Sequence, residues 1–565
     1  MNHQYSKKVL WLILIVSILK LVTASLIELG NDEVYYWTYA VQPDWNHFDH
    51  PPMVGWMIRL TSLNLSWATE VSLRLGSVLC AALSTWFIFK TGKLIANEKT
   101  GWYAALIYNC SVYTGIIAGL FILPDSPQMP FWTGALYIMA HMFIMNDENK
   151  LSTWLMLGLM IGLATLCKVH GLYLWAGFGL FLLITRAKWL LNWRLYAAVA
   201  VTLLCVLPIV YWNVINDFIT YRYHSDRVTH TTIQWDMLGR EIAGEFVYQN
   251  PIIFILLLIS LVATLRNRIR FNRKRASTWL LCMSLPMIFL FWGVSLLNPT
   301  LPHWSGPGYI PLFFMGGLYL ERRSHKTYPG FIKVAGTLMI IVLIAGVVLV
   351  RLSPVNFGSH DRANYGEYCP TLDLSGWKDF SKTFAAQVKD NEARGLMKPN
   401  APIITNKWFP GGHLEFYTTK ETGLAVIGIG NLGDIHKFAW LNKERPSLQL
   451  GDDAYAIVPS NLPMNVKEAY GQYFTEIQIP SLILQRRGRG IVRYFYVYRM
   501  KNCKLLPNQD LIDNHNKTEV VKEKIDSINT KIYDLVFAQK IVKDEIKMVD
   551  SLSKGKRRIQ LVAKL

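Results

Sequence analysis

Apolar and polar positions along this chain are sorted into long blocks. Apolar runs of about 15 to 25 residues lie near 9–29, 70–90, 101–121, 126–145, 151–167, 171–185, 195–214, 251–265, 278–297, 304–320 and 331–350, each close to the length a helix needs to cross a bilayer core. The pattern predicts about eleven membrane-spanning helices, with 151–167 and 171–185 short enough to be partial or tilted. The first run follows Lys7 and Lys8 in the charge order of a secretory signal, but its length and lack of a small-residue cleavage site mark it as a retained helix.

The pattern changes after Pro354. Mixed polar sequence carries short β-like runs at 401–405, 424–428, 454–458 and 491–497, alternating with helical stretches, which predicts a small α/β domain. Beyond it, Val521, Ile525, Ile528, Ile532, Leu535, Val542, Ile546 and Val549 follow a four-three spacing, the pattern of one long amphipathic helix. That helix would either pair with a second copy, making the chain a homo-oligomer, or pack on its own α/β domain. The expected organisation is a transmembrane domain over 1–352, an α/β domain over 353–505, and the amphipathic helix with a basic tail over 506–565.

Composition agrees with an integral membrane protein: the 565 residues are 52% hydrophobic, with a mean hydropathy of +0.22. The net charge of +19 could suggest nucleic acid, but much of the excess sits in short loops between apolar runs, as in 266–275. That is the positive-inside pattern, and it excludes a nucleic-acid partner. With a cytoplasmic N-terminus, Lys90, Lys93 and Lys99, then Arg186, Lys188 and Arg194, then Arg322, Arg323 and Lys326 all fall on the inner side; only the weakly charged 146–150 breaks the rule. The opposite side collects Asp32, Glu33, Asp49, His50, Asp125, Lys168, His170 and His303, and an odd number of crossings puts everything after 351 there too. The seven cysteines show no metal-ligand spacing. Cys369 and Cys503, outside the membrane region, are either a disulfide or free thiols.

Ionisable groups at a membrane boundary are costly unless they face water, substrate or one another, so this outer face is where chemistry is expected. Asp32 and Glu33 precede a stretch rich in aromatics, Tyr35, Tyr36, Trp37 and Tyr39. Taken alone, these are equally a helix N-cap and an aromatic belt. Asp125, between Pro124 and Pro127's neighbour Ser126, is a good N-cap as well, yet two carboxylates brought together from separate outer loops could share general-base and positioning work, with or without a divalent metal. Lys168 and His170 interrupt an apolar stretch; snorkelling satisfies such a lysine, and a phosphate headgroup is the functional alternative. His50 and His303, on the same side, favour phosphate.

The order of these motifs resembles a family. Asp32-Glu33 with Tyr35, Tyr36 and Trp37, then Phe48-Asp49-His50-Pro51-Pro52, then Pro124-Asp125, Lys168, Tyr211-Trp212-Asn213, and 298–304 ending in His303-Trp304, are similar to the bacterial protein-O-mannosyltransferase-like glycosyltransferases of the GT-C fold, relatives of the lipid A aminoarabinose transferases. The resemblance covers about residues 9–350. It implies an α-helical polytopic protein of 11 to 13 transmembrane helices in a bacterial inner membrane, with the active site and α/β domain periplasmic. It implies a polyprenyl-phosphate-linked sugar as donor, a lipid or protein acceptor, and transfer with inversion. Asp32 then stands as the catalytic carboxylate with Glu33 beside it and Asp125 as second acid. Lys168, His303, His50, Asp49 and Tyr35 are expected at the donor phosphate and substrate. Where the aminoarabinose branch carries a lysine before the Pro-Pro pair, this chain has His50, which speaks against assuming that sugar or lipid A. A polytopic lipid or solute transporter is the alternative; it calls for charges near the midplane and paired, broken repeats, and no such repeat is evident in the sequence.

Overall fold

The apolar runs become helices with ends close to those expected. In order they are α1 (Gln4–Leu26), α2 (Asn31–Val41), α3 (Met53–Thr61), α4 (Glu70–Ile95), α5 (Glu98–Cys110), α6 (Asp125–Met145), α7 (Leu151–Cys167), α8 (Tyr173–Thr185), α9 (Trp193–Ile215), α10 (Ile219–Asp226), α11 (Trp235–Tyr248), α12 (Pro251–Leu265), α13 (Ala276–Ser295), α14 (Gly306–Arg323) and α15 (Gly330–Arg351). The computed structural model describes residues 4–226, 232–271, 273 and 275–507, and those through Pro507 belong to one compact unit. The amphipathic helix expected over 506–565 lies, but for its first two residues, outside the described residues.

Among the described residues five helices, α1, α4, α9, α13 and α15, are long and apolar enough to cross a membrane, and α11 with α12 forms a sixth candidate bent by 103°. This is a multi-pass membrane protein. The other expected spans are shorter or more mixed. The 101–121 run is not one rod, since α5 ends at Cys110 and a π-helical turn follows at Tyr113–Ile117. α6 and α14 are buried along most of their length, so other helices, rather than lipid, set their composition. By contrast only 22% of α1 and 17% of α15 is buried, which puts both on the lipid-facing rim. α4 and α5 meet backbone to backbone: a Cβ on Gly92 would lie 2.6 Å from the Cα of Gly101, the close approach small residues permit between membrane helices.

After α15 the chain builds α16 (Trp377–Ala393), the short helix α17 (Trp408–His413) and a six-stranded sheet of β1 (Ile403–Thr405), β2 (Val426–Gly428), β3 (Ala454–Pro459), β4 (Phe474–Ile477), β5 (Ser481–Arg487) and β6 (Gly490–Cys503). The strand order is β2-β1-β3-β6-β4, with β5 also on β6; β1 is parallel to β2 and β3, and β6 is antiparallel to its partners. Every residue of β3 is buried, as suits a central strand covered on both faces. The four β-like runs of the sequence are β1, β2, β3 and the start of β6. β4 and β5 are largely exposed; β4 carries no continuous apolar run and that of β5 is only Leu482-Ile483-Leu484 before Gln485, Arg486 and Arg487. Cys369 and Cys503 are separate, buried free thiols.

One ion pair ties the end of the bundle that carries α2. Arg74 of α4, fully buried, donates to both Glu33 oxygens at 2.8 and 2.5 Å and to the carbonyls of Ala24, Ile27 and Glu28 at the end of α1. Glu33 also accepts the backbone N–H groups of Gly30 at 2.9 Å and Ile122 at 3.1 Å. α1, α2, α4 and the approach to α6 therefore meet at one charge pair whose hydrogen-bonding capacity is filled. Arg74→Met leaves the Glu33 carboxylate buried and unpaired, and is expected to cost about 3–5 kcal/mol. Thermal unfolding of the detergent-solubilised protein should show the loss, with Glu33→Leu/Arg74→Met recovering much of it; a single variant as stable as wild type would contradict the assignment.

Candidate functional site

α2 starts at Asn31 after an extended Gly30, which places Asp32 in its first turn, where the helix dipole favours a carboxylate. Adjacent helical residues point about 100° apart, so Asp32 and Glu33 cannot share a direction. Glu33 turns to Arg74. Asp32 turns into a cavity of about 690 Å³ at the end of the bundle.

Asp32, Tyr35, Asp49, His50, Asp125, Lys168 and His303 all line this cavity. Glu33 does not: the residue grouped with Asp32 by adjacency is a structural partner of Arg74, a departure from its expected place in the site. The walls come from the N-terminus of α2, the 42–52 loop, the start of α6, the turn after α7, α9 and α10, and the loop before α14. Trp408, Gly433 and His436 of the sheet domain close it from the other side.

Two groups of polar residues stand in it. In the first, Lys168 donates to both Asp125 oxygens at 3.1 and 2.9 Å, and Tyr113 donates to the same carboxylate at 2.9 Å. Gln128 donates to the backbone carbonyl of Lys168 at 2.9 Å and so fixes the turn that presents the lysine. Both members of the pair are buried, yet an ammonium has three N–H groups and Asp125 engages two oxygens, so one donor remains for a ligand. Burial holds His50 and His303 down at about 4, so both rings are neutral at pH 7. A neutral imidazole still offers one N–H, and an anion arriving beside it would raise its proton affinity.

In the second group, Asp49 accepts from Tyr35 at 2.7 Å and from Tyr39, and the Tyr39 ring stacks on His47 at 3.7 Å. Burial alone would raise the Asp49 carboxyl, but the neighbouring histidines and the two phenol donors outweigh it and leave the group below the ordinary aspartate value. Asp32 differs. No protein hydrogen bond to its carboxylate is formed among the described residues, its side chain is accessible from the cavity, and enclosure by protein, with the negative charges of Asp373, Asp49 and Glu33, pushes it up to about 6. It is an acid ionised at neutral pH, unpaired and open to a ligand, with the proton affinity of a usable base.

Several lining residues carried no signal in the sequence. Trp408 and His436 come from the α/β region, and their rings stand 5.0 and 5.7 Å from that of Tyr35; Tyr223 and His224 come from α10. Nothing within their own neighbourhoods marks them, because only the fold brings them to α2. Among the described residues no group of three or more His, Cys, Asp or Glu side chains could hold a metal ion. A second, more open cleft of about 570 Å³ lies in the sheet domain; its Asp453 is already bonded to Lys501 and to the backbone of Lys398.

Residues 49–212 match the family described as dolichyl-phosphate-mannose-protein mannosyltransferase. The lipid A galacturonosyltransferase RgtD of Rhizobium johnstonii is 26% identical over 287 residues, 49% of this chain and 58% of that protein; the chain thus spans less than two thirds of this relative's length. In fold, the chain is similar to the crystal structure of ArnT from Cupriavidus metallidurans bound to undecaprenyl phosphate, with a TM-score of 0.55 and 16% identity, covering 88% of this chain and 98% of that one. The apo state of the same protein gives 0.54 and 14%, covering 87% and 98%.

The state of Asp32 can be read without any substrate. Dicyclohexylcarbodiimide reacts with protonated, enclosed carboxyls, so labelling of Asp32 followed by peptide mass spectrometry is expected to be strong at pH 5 and to fall away through about pH 6. A midpoint near pH 4 would mean that the carboxyl is ordinary.

Proposed function

We propose that the chain is a membrane glycosyltransferase of the GT-C type, which transfers a sugar from a polyprenyl-phosphate donor to a hydroxyl-bearing acceptor in the envelope, at the cavity lined by Asp32 and Lys168, on the periplasmic face of the inner membrane. The observation that carries this reading is the pairing, in one cavity, of an unpartnered carboxylate with a lysine that keeps a free donor. The undecaprenyl phosphate bound in the similar ArnT structure supports the choice of donor, and the lipid A glycosyltransferase relative supports a glycolipid acceptor. The basic loops of the opposite face support the orientation.

In this scheme the acceptor hydroxyl donates to the Asp32 carboxylate, which takes its proton as the oxygen attacks the anomeric carbon. The bond from that carbon to the phosphate oxygen breaks, and its electron pair leaves with the polyprenyl phosphate. Attack from the side opposite the leaving group inverts the anomeric centre. Lys168, held by Asp125, faces the charge that grows on the departing phosphate, and His50 and His303 each add a neutral N–H donor. Asp125 keeps the ammonium in place and limits its net charge, so that the phosphate product can leave. A leaving group that is already stabilised requires alignment and deprotonation more than activation.

Three outcomes test this. Mass spectrometry of envelope glycolipids and glycoproteins with and without the chain should reveal one class that loses a single sugar; identical profiles would defeat the reading. Asp32→Asn should fold and lower transfer by about a thousandfold, within the range of a lost general base, and wild-type transfer should drop about tenfold per pH unit below about pH 6, where Asp32 is protonated. Lys168→Ala should weaken use of the polyprenyl donor about tenfold or more; an unchanged donor KM and kcat would count against its role.

A further inference from the structure

Among the described residues Asp32 has no hydrogen-bonding partner to hold it, but its neighbour does. The Asn31 carboxamide donates from Nδ2 to Asp373, in the segment before α16, and its Oδ1 accepts from His413 Nε2 at 2.8 Å. With Nδ2 committed to a carboxylate, Oδ1 must be the acceptor and the imidazole the donor. His413, at the end of α17, stacks on Trp377 with the rings 4.3 Å apart and 3° from parallel. The guanidinium of Arg493 from β6 lies 4.7 Å over the other ring of that stack, Trp377. The approach is close: a Cβ on Gly412 would meet Val34 of α2 at 3.0 Å. From the bundle side, Glu28 accepts the backbone N–H of Trp377 at 2.8 Å. The first turn of α2 is therefore gripped by the sheet domain one residue from Asp32.

We propose that Asn31, Asp373 and His413 form a positioning relay through which the sheet domain orients Asp32 in the cavity, with the Asp373 carboxylate, held on Asn31, adding negative charge next to it. The domain that follows the membrane helices is then a working part of the site. This rests on the reading of Asp32 as the base, but its first test does not require transfer. The groups facing Asp32 are Asp373 from the sheet domain, itself near Arg493; Asp49 from the loop after α2; Glu33 on the same helix, paired with Arg74; and the phenols of Tyr36 and of Tyr248 on α11. Burial keeps His413 neutral, so Asp373 is the sheet domain's charge on this site.

Asp373→Asn keeps an oxygen to accept from Asn31 and removes only the charge. In the full-length protein in detergent, the pH midpoint of dicyclohexylcarbodiimide labelling at Asp32 should fall by about half a unit or more, and Asp373→Glu should restore it. An unmoved midpoint in folded Asp373→Asn overturns the electrostatic part. Asn31→Leu cuts the relay without changing charge; kcat should fall about tenfold with the donor KM unchanged, and an unaffected kcat overturns the positioning part. A shifted midpoint in a protein whose wild type transfers no sugar would sink the transferase reading and leave the electrostatic coupling of Asp373 to Asp32 standing.

Discussion

The buried pair of Arg74 and Glu33 is the interaction on which the rest of this structure depends. Charge at the end of a membrane helix bundle must be neutralised or reach water, and here one guanidinium gathers the last carbonyls of α1 while its partner carboxylate caps α2 and receives the backbone before α6. Three segments that are distant in sequence are brought to one point, and the helix that leaves that point carries Asp32. The network fixes the direction of α2, and the helical rotation between adjacent residues then decides which of its two acids is structural and which faces the cavity.

The remaining charges divide along the same principle. Asp125 and Lys168 satisfy one another, and Asp49 is held by two tyrosines. Asp32 alone of these acids lacks a hydrogen-bond donor among the described residues, and the cavity's histidines at positions 50 and 303 are uncharged near neutrality. A site so arranged carries the uncompensated carboxylates of Asp32 and Asp49 beside a neutralised pair of Asp125 and Lys168 until a ligand enters. An arriving phosphate would meet donors with spare N–H groups, while a hydroxyl would meet an ionised carboxylate with free lone pairs.

Much of this was legible in the sequence. Runs of apolar residues located the helices, because hydropathy over about 20 residues is a strong signal, and charge counting gathered Asp32, Asp49, His50, Asp125, Lys168 and His303 on one face before any geometry was known. Glu33 was misplaced because adjacency in sequence says nothing about helix direction unless the register is known. Arg74 was passed over, although an arginine inside an apolar run calls for a partner acid. The contributions of Trp408, His413, His436 and Asp373 were not readable: each belongs to a local context of ordinary polar sequence and gains its role from packing more than 300 positions away from α2. The strands β4 and β5 escaped notice for a different reason, since these half-exposed edge segments carry at most a three-residue apolar run, where β3 is apolar and buried throughout.

In the proposed reaction one cavity holds the lipid-linked phosphate against Lys168 with the reacting centre turned toward Asp32. The most direct measurement is an experimental structure of the full chain with undecaprenyl phosphate bound. The phosphate should lie within hydrogen-bonding distance of the Lys168 Nζ, with the lipid tail leaving between helices toward the bilayer and open space between the phosphate and Asp32 large enough for a sugar ring. A phosphate seated outside this cavity, or inside it with Asp32 walled off by protein, would contradict it.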